Sequence, residues 1–337
     1  MDAPANDTPP ASRQPAFIVG TSRGGTTWLS RVLNTHPDIC SFGESMYWGR
    51  SYLEPASPQG YNREQVEHLA SARTNGRWGP HGHKPGSLSG LNEDGFGGPL
   101  IDAVRTAMLD APTPITPHDL FQIIADAACQ SEGKSLAVEK TPHHINWHER
   151  ITAGYPAAKF IVMLRTPYEF MRSYKHQGGQ ISDKAREDFK KGYHPIACAL
   201  VWRGFIRSAA SLKANPNARS LEVWTHELKT SETAILNQIQ QLLGVTPTDL
   251  TNNVPPDNSS FEGNPAPELD PADIFWMNRL AGREIRKHGL DLRRTPFAPL
   301  AITASILRIP FWAFRTLRQL RTRTSGSLLA YLYRWIR

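Results

Sequence analysis

The sequence predicts an α/β fold, P-loop-like and three-layered, with a mainly parallel central sheet flanked by helices. Three observations predict it. Short, continuous apolar runs at 17–20 and 159–164 have the character of strands covered on both faces. Segments with helical spacing of apolar residues follow such runs, as in right-handed βαβ crossovers. The first run also passes into its helix through a glycine-rich stretch, GTSRGGTT, at 20–27.

Taken in order, 17–20 is the first strand and 26–34 the first helix, stopped before His36-Pro37 because a residue before proline avoids helical backbone. A short second strand is expected at 39–42. Residues 44–135 have no clear period and are read as an irregular acceptor or lid insertion. Within them, 75–98 hold eight glycines and two prolines, as in a lid over a ligand. SLAVEK (135–140) and KFIVMLR (159–165) are the next strands, and a helix starts near Pro167. Leu200, Val201, Gly204, Phe205, Ser208 and Leu212 mark one helical face. Residues 221–224 form a last strand. Ile235, Leu236, Ile239, Leu242 and Leu243 form an amphipathic helix closed by Gly244.

The 337 residues suffice for one large domain with insertions. Three cysteines, with no CxxC spacing, argue against a disulfide framework or zinc cluster and fit a reducing, cytoplasmic setting. The polar, proline-rich start (1–15) has no signal-peptide character and is expected to be disordered. Net charge is +7, but residues 293–337 carry nine arginines and no acidic residue. Without those nine charges the body stands at −2, which excludes a uniformly basic nucleic-acid binder.

The loop Gly20, Thr21, Ser22, Arg23, Gly24, Gly25, Thr26, Thr27, Trp28 opens a helix. Backbone N–H groups and the positive end of the helix dipole suit it to an anion. Its spacing matches a Walker loop, except that Thr26 replaces the lysine. Arg23 can instead fork two donors onto a charged oxygen. Without the lysine, magnesium and a triphosphate are poorly served, so a ligand with fewer adjacent charges and no metal is expected. A second anion site is expected at Arg165 and Ser173, with Arg172 and Lys175 nearby, at the carboxyl end of the 159–164 strand. Two such sites suit a nucleotide carrying phosphates on both its 5′ and 3′ sides.

At this point the chain, from 16 to about 265, resembles the sulfotransferases that use 3′-phosphoadenosine 5′-phosphosulfate (PAPS). GTSRGGTTWL (20–29) resembles their 5′-phosphosulfate loop, and LRTPYEFMRS (164–173) their 3′-phosphate motif. EKTP (139–142), LEVWTHEL (221–228) and NSSF (258–261) resemble further family segments, although Thr225-His226-Glu227-Leu228 replaces the commoner Tyr-Glu-Asp-Leu. Arg23 stands where many members have lysine. The glycine-rich cofactor loop of the small-molecule branch is absent, so the resemblance is to the carbohydrate and tyrosyl-protein branch. The domain it implies spans 16–292.

The resemblance implies that Thr26 and Thr27 bind the 5′-phosphosulfate, and Arg165 and Ser173 the 3′-phosphate. HPDICSFGE (36–44) is similar to the tyrosyl-protein branch, where that glutamate is the base, so Glu44 is the expected catalytic base. A positioned carboxylate of this kind contributes about 10²–10⁴ in rate. Arg23 and Lys140 are the expected catalytic stabilisers of the leaving oxygen. No metal is required. His144 and His148 are read as surface groups rather than a zinc pair, and His83 and Lys84 face an acceptor if the lid exists. Tyr47, Trp48, Tyr52 and Trp78 favour no particular acceptor.

The tail, 293–337, is apolar and arginine-rich. PFAPLAITASILRIPFWAF (296–314) is broken by Pro299, Arg308 and Pro310, which makes a poor spanning helix. It suits helices lying on an anionic membrane surface, or a tail folded over the body's acidic face. The expected partners are PAPS, its bisphosphate product PAP and a hydroxyl-bearing carbohydrate or glycolipid acceptor, with tyrosyl protein as the alternative. A magnesium-dependent phosphotransferase and a nucleotide-binding membrane adaptor are the other classes weighed. The missing lysine speaks against the phosphotransferase. A silent change at Glu44 would favour the adaptor.

Overall fold

The computed structural model describes residues 13–49, 51–71, 98–176, 190, 192–250 and 268–321. Strands β1 (Ala16–Gly20), β2 (Ile39–Phe42), β3 (Leu136–Lys140), β4 (Ala158–Leu164) and β5 (Ala218–Trp224) form one sheet. Their order is β2-β3-β1-β4-β5 and every pairing is parallel. Phe17 faces Phe160 across β1–β4, and Ile18 faces Lys140 across β1–β3.

The apolar runs are continuous because both sheet faces are covered. In β1, Phe17 and Val19 enter one core and Ala16 and Ile18 the other. In β4, Phe160 and Val162 oppose Ile161 and Met163 in the same way. Helices α1 (Thr26–Asn34) and α9 (Glu232–Leu243) cover one face with Leu29, Leu33, Ile239 and Leu243. The other face is covered chiefly by α4 (Pro117–Glu132), α6 (Pro167–Lys175) and α7 (Pro195–Lys213), through Phe121, Phe170, Trp202 and Phe205. Between these lie α5 (His148–Thr152) and α8 (Thr225–Thr230). Gly244 ends α9 in left-handed backbone, φ 70°.

The expectation of an irregular 44–135 insertion needs correcting. Among the described residues, three helices lie there: α2 (Arg63–Ala70), α3 (Gly98–Asp110) and α4. Local chemistry explains them. Asn62 and Gln65 form a capping box. Thr116 caps Asp119 N–H, Pro117 sits in the first turn, and Gly133 stops α4. Val104, Met108, Phe121 and Ile124 belong to the main core, so α3 and α4 are scaffold. The glycine-rich stretch, with Trp78, His81, His83 and Lys84, lies outside the described residues, as do 1–12, NSSF and 322–337.

Helix α10 (Pro271–Lys287) packs beside α7 and is followed by α11 (Pro299–Leu307) and α12 (Ile309–Arg321). The chain runs from β1 outward to β2, returns to β3, then crosses to β4 and β5. The order in which strands are added therefore switches sides at β1, while all strands stay parallel. In open parallel sheets, the crevice at the carboxyl ends beside such a switch is where ligands bind.

Candidate active site

All five strand ends deliver a residue to that crevice. From β1, Gly20 turns with φ 129°, and a Cβ there would lie 2.0 Å from the Met163 carbonyl. The loop must therefore start on glycine, because the backbone hugs β4 at this point. Thr21 N–H donates to Met163 O at 2.8 Å. Arg23 is left-handed, φ 63°, and Gly25, φ 81°, precedes α1 without any side-chain cap. The first amides of α1 are thus left for another acceptor.

From β4, Arg165 Nη1 donates to the Arg23 carbonyl at 2.6 Å. From β5, the Thr225 hydroxyl lies 3.1 Å from Gly24 O and 2.9 Å from Leu164 O. Neighbouring strands thus hold the strained loop. Arg23 Nε points to Ser173 Oγ at 3.4 Å, so the first and second expected anion sites meet through one side chain. Burial lowers the pKa of Arg23, and Arg165 lowers it further, while Glu44 pulls it back up. Arg165 is also lowered, chiefly by burial. Nε of Arg165 and Nε of Arg172 are buried donors without a hydrogen-bond acceptor among the described residues. Burial without an acceptor is costly, and an anion would relieve it. This donor set fits a nucleotide with separated phosphates.

From β3, Lys140 is fully buried, with Nζ 3.3 Å from Thr27 Oγ1 and 3.3 Å from Glu44 Oε1. From the turn after β2, Glu44 keeps 24% of its side chain exposed. A partly exposed carboxylate and the loop's threonine thus both touch one buried ammonium. Thr26 is buried and Trp28 packs partly against the α1 side of the sheet. Ser22 Oγ approaches His143 Nε2 at 3.3 Å.

Sequence reasoning missed the support beneath Glu44. Glu139 is fully buried one position before Lys140. Its Oε1 accepts from Ser45 N–H at 3.1 Å, Ser45 Oγ at 2.7 Å and Thr141 Oγ1 at 2.5 Å. Its Oε2 lies 2.9 Å from His144 Nδ1. Trp48 N–H donates to His144 Nε2 at 3.2 Å. The turn carrying Glu44 is therefore clamped from inside, and Met46 takes left-handed backbone, φ 54°, within it.

This corrects the surface expectation for His144 and His148. Both are buried, His144 in the Glu139 clamp and His148 with Nε2 3.2 Å from Ser211 Oγ. Tyr47 and Trp48 are core residues, and Tyr52 lies under the Arg150 guanidinium at 3.6 Å.

Burial alone would raise the Glu139 pKa, but the His144 ring and the Thr141 and Ser45 hydroxyls outweigh it and hold it below the usual value. A depressed folded-state pKa contributes stability that is full above the unfolded value, about 4.3, and is lost as pH falls through the folded value. Glu139→Gln is expected to cost about 3 kcal/mol at neutral pH by leaving buried donors mismatched. Its melting temperature should also fall less steeply than the wild type's in acid. Calorimetry across that range checks both, and parallel acid slopes would remove the linkage.

A sulfotransferase family model matches residues 15–249. No curated protein sequence matches the chain. Solved structures similar to it include the sulfotransferase domain of the olefin synthase from Synechococcus PCC 7002. That domain is 16% identical, with 91% of this chain and 95% of that chain covered and a TM-score of 0.49. Another is the sulfotransferase domain of the curacin biosynthetic pathway, 14% identical, covering 84% of this chain and 100% of that chain, TM-score 0.47. A third is sulfotransferase STF9 from Mycobacterium avium, 14% identical, covering 84% and 78%, TM-score 0.44. It is the family match, spanning all five strands of the sheet, that places the chain: it belongs to the sulfotransferase family and is a PAPS-dependent sulfotransferase.

Proposed function

We propose that the protein moves a sulfuryl group from PAPS to a hydroxyl of a carbohydrate or glycolipid acceptor, with Glu44 as general base. The observation that carries this reading is the line from Glu44 through Lys140 to Thr27, each step 3.3 Å. It sets a carboxylate beside the anion loop, within reach of a hydroxyl arriving from solvent.

Residues Gly20 to Trp28 would hold the 5′ side through backbone N–H groups and the Thr26 and Thr27 hydroxyls. Arg165 and Ser173 would hold the 3′-phosphate. When bound, PAPS supplies an activated sulfuryl group and a phosphate leaving oxygen. Glu44 removes the acceptor proton as the new S–O bond forms. Lys140 and Arg23 neutralise charge on the departing oxygen as the old S–O bond breaks. Lys140 is prepared for this because its ammonium is dry and already touches the loop. Arg23 belongs to the anion loop itself, and its Nε lies 3.4 Å from Ser173 Oγ, so its guanidinium is close to both expected phosphate positions.

The apolar, arginine-bearing tail suits an acceptor carried by a lipid. The test is transfer of ³⁵S-labelled sulfate from PAPS, without added metal, to three acceptor sets: glycolipids, polysaccharides and tyrosine-containing acidic peptides. Label on a saccharide hydroxyl is the expected result. Label on tyrosine alone would overturn the acceptor class while leaving the Glu44 chemistry standing.

A further inference from the structure

We propose that the outward face of α11 and α12 is a docking surface for an anionic lipid bilayer, on which the protein lies without crossing it. The two helices run on from one another. Arg308 N–H donates to Ala304 O at 3.2 Å and Trp312 N–H to Arg308 O at 3.0 Å, so one helical surface persists.

One side of that surface is fixed to the body. His194 Nε2 lies 2.9 Å from Ser305 O, Trp276 Nε1 donates to Ser305 Oγ at 2.8 Å, and Trp312 Nε1 donates to Gly192 O at 2.8 Å. The opposite side is bare and apolar. Leu300, Leu307, Phe311 and Phe314 are 85%, 75%, 69% and 70% exposed, and their spacing places them on one stripe. Phe297, just before α11, is 96% exposed. Isolated exposed leucines need no explanation, but an aligned stripe with two phenylalanines does.

Charge selects the occupant. No acidic residue occurs after Asp291, and Arg308 lies between the two helices that carry the stripe, with Arg315 and Arg318 on the second of them. Anionic headgroups complement such a surface, with the aromatic rings at the acyl boundary. A second copy of the same face would bring arginine against arginine, and the sequence after Asp291 holds no carboxylate of its own to offset them.

Pro299–Arg318 is 20 residues long and apolar enough to cross a membrane by length and composition, which revises the expectation of a poor spanning segment. The three hydrogen bonds to the body favour lying over crossing, because a spanning helix would have to break them. The base of the tail is also tied to the helix that follows Arg165: Arg293 N–H donates to Tyr168 Oη at 2.8 Å. Docking would therefore hold the nucleotide crevice at a fixed distance from the lipid.

The experiment is vesicle flotation with the full chain, using phosphatidylcholine vesicles with and without phosphatidylglycerol. It needs no sulfotransferase activity, so it fails or succeeds independently of the proposed acceptor. Wild type is expected to float with the phosphatidylglycerol vesicles and to be released by high salt. Phe311→Ser with Phe314→Ser should weaken binding about tenfold or more. These positions are exposed, and an unchanged thermal shift with adenosine 3′,5′-bisphosphate verifies the fold.

Any of four results would overturn the proposal. No binding to either vesicle removes the bilayer. Binding that appears only on deleting 322–337 makes that segment the occupant. A dimer dispersed by the same substitutions makes it a second copy. Salt-insensitive association that survives alkaline carbonate makes the helix a span.

Discussion

Glu44→Gln is expected to lower the transfer rate about 10²–10⁴-fold while adenosine 3′,5′-bisphosphate binding stays nearly unchanged. The Lys140 ammonium is fully buried and touches both Glu44 and Thr27. Removing the carboxylate's charge leaves Thr27 in place and leaves every contact of Arg23 with Arg165 and Ser173 intact. Nucleotide binding therefore keeps its donors, and only proton removal is lost. The glutamine is nearly isosteric, so the Ser45–Glu139 clamp below should persist. Single-turnover rates with saturating donor, together with calorimetric binding of the bisphosphate, separate the two effects. An unchanged kcat would reduce Glu44 to a charge partner of Lys140, and the proton acceptor would have to be sought elsewhere.

The chemistry that the sequence displayed is local, and what it concealed depends on burial. An apolar run between glycine and a helix marks β1 wherever it sits, and KFIVMLR is a covered strand in any α/β domain. Arg165 could be placed at a strand end from its neighbours alone. Lys140 was also expected at the crevice, but its complete burial depends on what packs above it. Glu139 lies one residue away and carried no sign of its role. A glutamate in a strand reads as a solvated position, and only the approach of Ser45, 94 residues earlier, and of His144 makes it a clamp. The two histidines misled for the same reason, since partners distant in sequence buried them. The helices between 44 and 135 are a different matter. Their caps at Asn62, Thr116 and Gly133 were present in the sequence, and weak periodicity beside a glycine-rich stretch obscured them.

Arg165→Ala is expected to raise the dissociation constant for adenosine 3′,5′-bisphosphate about 10²-fold or more. Two losses combine. The buried Nε–H makes no hydrogen bond among the described residues, its ion-pair partner Glu169 Oε2 standing off at 3.9 Å, so a phosphate could take it as a donor. The Nη1 bond to the Arg23 carbonyl fixes a left-handed, non-glycine residue in the anion loop. At about 1.5 kcal/mol for each charged hydrogen bond and 1.4 kcal/mol per tenfold, the pair accounts for the expected factor. Arg165→Lys keeps a charge but not the planar fork, and it should recover part of the loss. The decisive comparison is with adenosine 5′-monophosphate, which lacks the 3′ group. Should Arg165 bind the 3′-phosphate as proposed, wild type prefers the bisphosphate and the alanine variant loses that preference. Were both nucleotides weakened equally, Arg165 would act only by anchoring the loop. The second buried donor, Arg172 Nε, would then be the group to test for the 3′ side.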